Sequence, residues 1–216
     1  MTNLFSTFDP CTGMLSINWL SMMIMTTMMP MKFWTMNNKM SLMIKMIMNM
    51  MIKEMKMLMK NKGSTLMLMS MFIFILMNNM MGLMPYIFTA SSHLIFSLSM
   101  ALPMWTSLMM YGWLKKTNNM FKHLIPTGTP LILIPFMIII ETISNLIRPG
   151  SLAVRLSANM IAGHLLMVLL GNNSTSMLMM TISMTVIIML IMFETAVSMI
   201  QSYVFMTLST LYSSEI

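Results

Sequence analysis

The 216 residues would suit one or two soluble domains, but 57% are hydrophobic, only 8% are charged, and the mean hydropathy is +0.81. A soluble domain carries about 25% charged residues, so this chain cannot cover itself with charge, and lipid must be the solvent over most of its surface. The net charge of +7 does not point to nucleic acid: every lysine falls within Lys32–Lys62 or Lys115–Lys122, both flanking apolar runs, as on the synthesis side of a membrane protein.

In chain order, Met1 to Pro10 has no basic region or small-residue cleavage site, so neither a secretory signal nor an Arg-rich transit peptide is expected. Cys11 is the single cysteine, which leaves no intramolecular disulfide to form. A bilayer core about 30 Å thick takes about 20 apolar residues as an upright helix. Met14–Trp34 is a first candidate, with Pro30 near its end and Trp19 and Trp34 placed as interfacial anchors. Over Asn38–Lys62 the polar residues Asn38, Ser41, Lys45, Asn49, Lys53, Lys56 and Lys60 recur every three or four positions between Met, Leu and Ile. That period predicts an amphipathic helix in the interface plane, its basic face toward anionic lipid; the competing reading is a solvated helix in an exposed domain.

Thr65–Phe88 and Leu94–Leu114 are the clearest spans, joined by Thr89–His93 with no lysine or arginine. Pro85 and Pro103 are expected to kink or end helical turns. Lysines before the first span and after the second place both flanks on one side, the same parity that two spans give. Leu131–Leu170 is twice too long for an upright span, at about 60 Å if helical, and Met177–Tyr212 is nearly as long. Joined by the short Gly171–Ser176, the two predict a steeply tilted hairpin entered at Pro130–Pro135; four shorter spans broken at Pro149-Gly150 remain the alternative. The expected fold is all-α: a single polytopic membrane domain over 1–216, with an upright span at 14–34, the interfacial helix at 38–62, a helical pair at 65–114 and the tilted hairpin at 131–212. No internal repeat, second domain, nucleotide-cradling loop or metal-spaced Cys and His set is visible. The 41 methionines fit codon bias, with AUA read as Met; they lie on every face, which argues against Cu(I) ligation.

Chemistry is concentrated in the long segments. At 100° per residue, Glu141, Ser144, Arg148, Ser151 and Asn159 fall within about 40° of Arg155, Ala162 shares their face, and His164 falls about 180° away. Glu194, Ser198 and Gln201 form a second stripe, continued backward by Ser183. A charge at the bilayer centre costs about 2.5 to 3.5 kcal/mol on insertion scales, so such groups face partners, cavities or ion paths. Glu and His can exchange protons, whereas Arg keeps its charge. A fixed cation beside titratable groups can eject a proton from an approaching acid but cannot relay one, which makes a gate. Glu141 with Arg148 could instead be a buried structural pair, Glu194 could be capped by hydroxyls, and His93 and His123, near loops, read as structural. Arg155 has no acid one turn away, so its counter-charge is expected from elsewhere.

At these residues the sequence resembles subunit a of the rotary ATP synthase in its mitochondrial, arthropod-like form. The resemblance rests on Leu152-Ala-Val-Arg-Leu-Ser-Ala-Asn-Met-Ile-Ala-Gly-His164, Ile125-Pro-Thr-Gly-Thr-Pro-Leu, Ile140-Glu-Thr-Ile-Ser, Gly82-Leu-Met-Pro-Tyr-Ile-Phe and Phe193-Glu-Thr-Ala-Val-Ser-Met-Ile-Gln-Ser-Tyr-Val-Phe. It implies a subunit that is not catalytic on its own and needs no cofactor or metal, forming two proton half-channels against a ring of c subunits. Arg155 matches the family's essential arginine, His164 and Glu194 the half-channel from the intermembrane space, and Glu141 the matrix-side exit. Asn159 and Gln201 match polar neighbours of the arginine, with Ser198 on the Gln201 stripe. The implied setting is the mitochondrial inner membrane, with the N-terminus in the intermembrane space and the lysines on the matrix side. Partners would be the c-ring, the peripheral stalk and other membrane-sector subunits, protons, and membrane lipid, including anionic lipid at Lys39–Lys62. The resemblance also favours the tilted hairpin. Two other classes compete: a scaffold subunit whose membrane charges pair internally, and a secondary transporter, whose paired inverted halves are not visible here.

Overall fold

The structure is a computed structural model that describes residues 4–23, 36, 38–59, 62–84, 86–125, 130–172 and 176–215. Six α-helices lie wholly within the described residues: α1 (Lys39–Leu58), α2 (Lys62–Gly82), α3 (Leu94–Lys115), α4 (Thr117–Leu124), α5 (Ile134–Asn172) and α6 (Met177–Glu215). No strand occurs among these residues, and four segments are long and apolar enough to cross a membrane: Gly63–Gly82, Leu94–Lys115, Leu131–Asn172 and Met177–Ser214. The chain is an all-α polytopic membrane protein.

Before α1 the described chain has short 3-10 turns at Leu4–Phe8 and Ile17–Leu20, with irregular backbone between them, and residues 21–23 are α-helical. The expected span from Met14 is not helical over residues 14–16, is helical over residues 17–23, and from Ile24 to Trp34 lies outside the described residues. The amphipathic helix expected over Asn38–Lys62 stops at Leu58, where Met59 turns to extended backbone, and Lys62 already opens α2. α1 is also more than an interfacial helix. Met55 is 1% exposed and packs with Leu68, Met69, Phe72, Met104 and Met206, while Met43, Met46 and Met50 on another face stay exposed.

α2 ends at Gly82, short of the expected Phe88, because the residue before a proline is pushed out of the helical region and Pro85 follows closely. Tyr86 then takes a positive φ of 70°, an uncommon conformation for a bulky residue, which turns the chain sharply. The connection to α3 is no surface loop: Ala90, Ser91 and Ser92 form a buried 3-10 turn. Ser92 donates to the Thr89 carbonyl at 2.7 Å and the Ser92 amide bonds the same carbonyl at 3.3 Å, so part of the buried backbone is satisfied locally. Pro103 sits inside α3 without ending it. α4, after the Lys115-Lys116 pair, has no counterpart in the predicted spans.

The two long helices settle the choice over Pro149. α5 runs unbroken through it for 39 residues, and α6 is also 39 residues, each about 58 Å at 1.5 Å per residue. The alternative of four shorter spans is excluded. Pro135 falls in the first turn of α5, where a missing amide costs nothing. Ser176 precedes α6 and caps it, its hydroxyl accepting from the Met179 amide at 3.3 Å.

α2 packs on α6, α3 on α5, and α5 on α6. Lipid offers no hydrophobic drive for this association, so close packing and small residues must supply it. Ile75, Ala101, Ala153, Leu156 and Phe205 form the core between the four helices. Buried hydroxyls of α6 are satisfied within that helix: Ser198 donates to Thr195 at 2.8 Å, Ser202 to Met199 at 2.8 Å and Ser209 to Met206 at 2.7 Å.

Candidate functional site

α5 has one face turned inward through Ala153, Leu156, Ser157, Met160 and Gly163. Ser151, Arg155, Asn159 and Ala162 lie on another, and all four are exposed. This part of the polar-or-small stripe is one uncovered surface, while Glu141, Ser144 and Arg148 are partly buried. Among the described residues no acid reaches the Arg155 guanidinium, and no hydrogen bond within the chain holds it. An uncompensated guanidinium at membrane depth is costly.

Beside it, Asn159 Nδ2 donates to Gln201 Oε1 at 2.7 Å and ties α5 to α6. Gln201 is 9% exposed and Ser198 1%. The Ser198 hydroxyl lies 2.8 Å from the Thr195 carbonyl and 3.2 Å from Met80 Sδ, so it serves packing between α6 and α2.

Glu141 and Arg148 do pair, with Nη2 to Oε1 at 3.4 Å, but the two side chains are 35% and 27% exposed, so the pair is not buried. Arg148 also lies over the Tyr212 ring at 4.9 Å, which links α5 to the end of α6. Its charge is thus met within the chain.

His164 is half-buried on the opposite side of α5 from Arg155, nine residues and about 13.5 Å further along the axis. It is hydrogen-bonded to the Gly82 backbone, and its Nε2 is buried with no partner among the described residues. The Phe8 ring stands edge-on to it at 6.2 Å. His164 lines a cavity of about 620 Å³ that also reaches Asp9, Asn18, Tyr86 and Asn172.

Glu194 comes across from α6 to the same region. Its carboxylate lies against Gly163, the residue before His164, and a side chain there would overlap both carboxylate oxygens. No hydroxyl caps Glu194 among the described residues. The structure thus gathers Glu194, Gly163 and His164 at one level and leaves Arg155 on a separate face. Gly163, Gly82 and Phe8 were not foreseen; a small residue beside His164 was the one available signal for a close helix approach. His93 is structural: its Nε2 lies 3.0 Å from the Phe8 carbonyl. The His123 side chain lies outside the described residues. Among the described residues no three His, Cys, Asp or Glu groups cluster to hold a metal.

The family model described as ATP synthase A chain matches residues 12–214. ATP synthase subunit a of Drosophila simulans is 54% identical over 100% of this chain and 99% of its own length. Those of Anopheles quadrimaculatus and Locusta migratoria are 52% and 53% identical with the same coverage. The chain belongs to the ATP synthase A chain, or subunit a, family.

Proposed function

We propose that this chain is the proton-translocating stator subunit of a mitochondrial rotary ATP synthase, without catalysis of its own. It lies in the inner membrane with its N-terminus toward the intermembrane space and its lysines toward the matrix. The supporting observation is Arg155, exposed on a polar-or-small face of α5 with no counter-charge among the described residues. A scaffold subunit would pair its membrane charges internally, as Arg148 does and Arg155 does not.

In this reading α5 and α6 lie steeply tilted, because helices of about 58 Å exceed a core of about 30 Å. Their exposed faces curve along a c-ring. A proton enters by the cavity at His164, passes His164 and Glu194, and neutralises a rotor carboxylate. The neutral acid then moves through lipid at low cost, while a charged one could not. When the ring brings that acid to Arg155, the fixed cation favours its ionised form, and the proton leaves on the Glu141 side. Arg155 cannot accept the proton itself, so it blocks direct passage between the half-channels. Asn159 and Gln201 hold α5 and α6 in register beside it. Each proton crossing 100 mV releases about 2.3 kcal/mol, which ring rotation carries to ATP synthesis. Other membrane-sector subunits, the peripheral stalk and anionic lipid at α1 complete the setting.

The test is Arg155→Ala in the assembled complex. Proton-driven ATP synthesis should be abolished with assembly intact, and retained synthesis would reject the gate.

A further inference from the structure

The cavity lined by His164 is also lined by Asp9, the only aspartate in the chain. Asp9 is exposed, so its carboxylate stands at the mouth rather than inside. Its position is held by several contacts. Asp9 Oδ1 accepts from the Cys11 amide at 3.1 Å, and its carbonyl accepts from Asn18 Nδ2 at 3.1 Å. The preceding residue is fixed twice: the Phe8 carbonyl lies 3.0 Å from His93 Nε2, and the Phe8 ring packs edge-on against His164. His93 itself packs in a three-ring cluster with Trp19 and Phe88, each with its ring centroid 5.2 Å away. An irregular segment at the edge of a membrane protein is thus tied to α5 and to the start of α3.

We propose that Asp9 is the proton-collecting group of the inlet, a carboxylate that binds protons from the aqueous side and passes them through the cavity to His164. This rests on the function proposed above. The physical need follows from rates. Free protons at neutral pH, about 10⁻⁷ M, meet even a perfect target only about 10³ times per second at the diffusion limit of about 10¹⁰ M⁻¹s⁻¹. A negative charge at the mouth of a low-dielectric cleft concentrates cations and raises capture about tenfold or more. The other titratable groups lining this cavity are Tyr86, from the connection after α2, and His164, from α5; α6 contributes Ile187 and Ile191. Cys11 stands two residues after Asp9 in the chain and is exposed. Of these, Asp9 is the carboxylate. Proton balance is simple: the proton taken by a carboxylate oxygen is given up again toward His164, and Asp9 returns to its anionic form.

The experiment is Asp9→Asn in the assembled synthase, in vesicles whose intermembrane face meets the medium. Asn keeps the oxygen that accepts from the Cys11 amide, so the turn survives while the carboxylate is lost. Proton flux should fall between about two- and tenfold in dilute buffer. It should return toward wild type with concentrated imidazole or phosphate, which deliver protons in place of Asp9, and Asp9→Glu should stay close to wild type. Unchanged flux in D9N, or a loss that buffer does not restore, overturns the proposal. Should D9N fail to assemble, Asp9→Ser offers another oxygen to the Cys11 amide and carries the same expectation; failure of both to assemble makes Asp9 structural and also overturns it. A silent D9N beside an inactive Arg155→Ala removes only this inference, whereas an active Arg155→Ala removes the function on which it rests.

Discussion

The Glu194 carboxylate rests against Gly163, in space that any side chain at that position would occupy. Glycine therefore fixes where the acid of α6 sits relative to His164, one residue further along α5. Gly163→Ala should push the carboxylate aside without removing it. A displacement of about 1 Å at a reacting group costs up to about 100-fold, so proton-driven ATP synthesis should fall between about ten- and 100-fold while the complex still assembles. Native gels of the complex and synthesis assays on the same vesicles check both halves.

Glu194→Gln keeps the shape and removes the proton-carrying group. Inlet proton transfer should slow by about 10² to 10⁴, the usual contribution of a positioned acid or base, and unchanged flux would make Glu194 structural. Because Gly163 acts through the carboxylate, adding Gly163→Ala to Glu194→Gln should have little further effect. Independent contributions would instead multiply, and the double-mutant cycle separates the two outcomes.

Arg155, Asn159 and their stripe were legible in the sequence because a helix repeats every 3.6 residues, and α5 keeps that repeat through Pro149. The proline removes one amide and crowds one turn, yet the continuous helix leaves Ser151, Arg155, Asn159 and Ala162 together on an exposed surface. Family motifs supplied the roles proposed for His164 and Glu194, which periodicity alone could not. Contacts between elements were hidden: Phe8 against His164 and Glu194 against Gly163 join positions 156 and 31 residues apart, as the numbering gives. Periodicity within one segment carries no information about such pairs. The break at Met59 was hidden for a different reason, since Lys56, Lys60 and Lys62 extend the polar spacing of α1 past its end.

Asn159 and Gln201 form the side-chain hydrogen bond that ties α5 to α6, at 2.7 Å. Asn159→Leu leaves the Gln201 carbonyl, in a buried side chain, without this donor. An orphaned buried acceptor costs about 1 to 3 kcal/mol, so the solubilised complex should lose thermal stability. Gln201→Leu alone orphans only the donor of the exposed Asn159 and should cost less, while the double substitution should be milder than the sum of the two. A strictly additive result in thermal-shift measurements would show that the bond does not couple the helices.

Arg148 and Glu141 separate stability from transport. Their side chains are 27% and 35% exposed and meet at 3.4 Å, a geometry in which ion pairs contribute about 1 kcal/mol or less. The Tyr212 face adds about 0.5 to 1 kcal/mol at an exposed site. Arg148→Gln should therefore leave assembly and thermal stability nearly unchanged. Glu141→Gln should be equally mild for stability but, if Glu141 carries protons toward the matrix, should lower proton flux well below that of the Arg148→Gln complex. Measuring flux and thermal stability on both variants decides the case. Equal, small losses of flux would reduce Glu141 to a surface partner of Arg148, and a large loss of stability in either variant would mean that the pair is buried in the assembled complex.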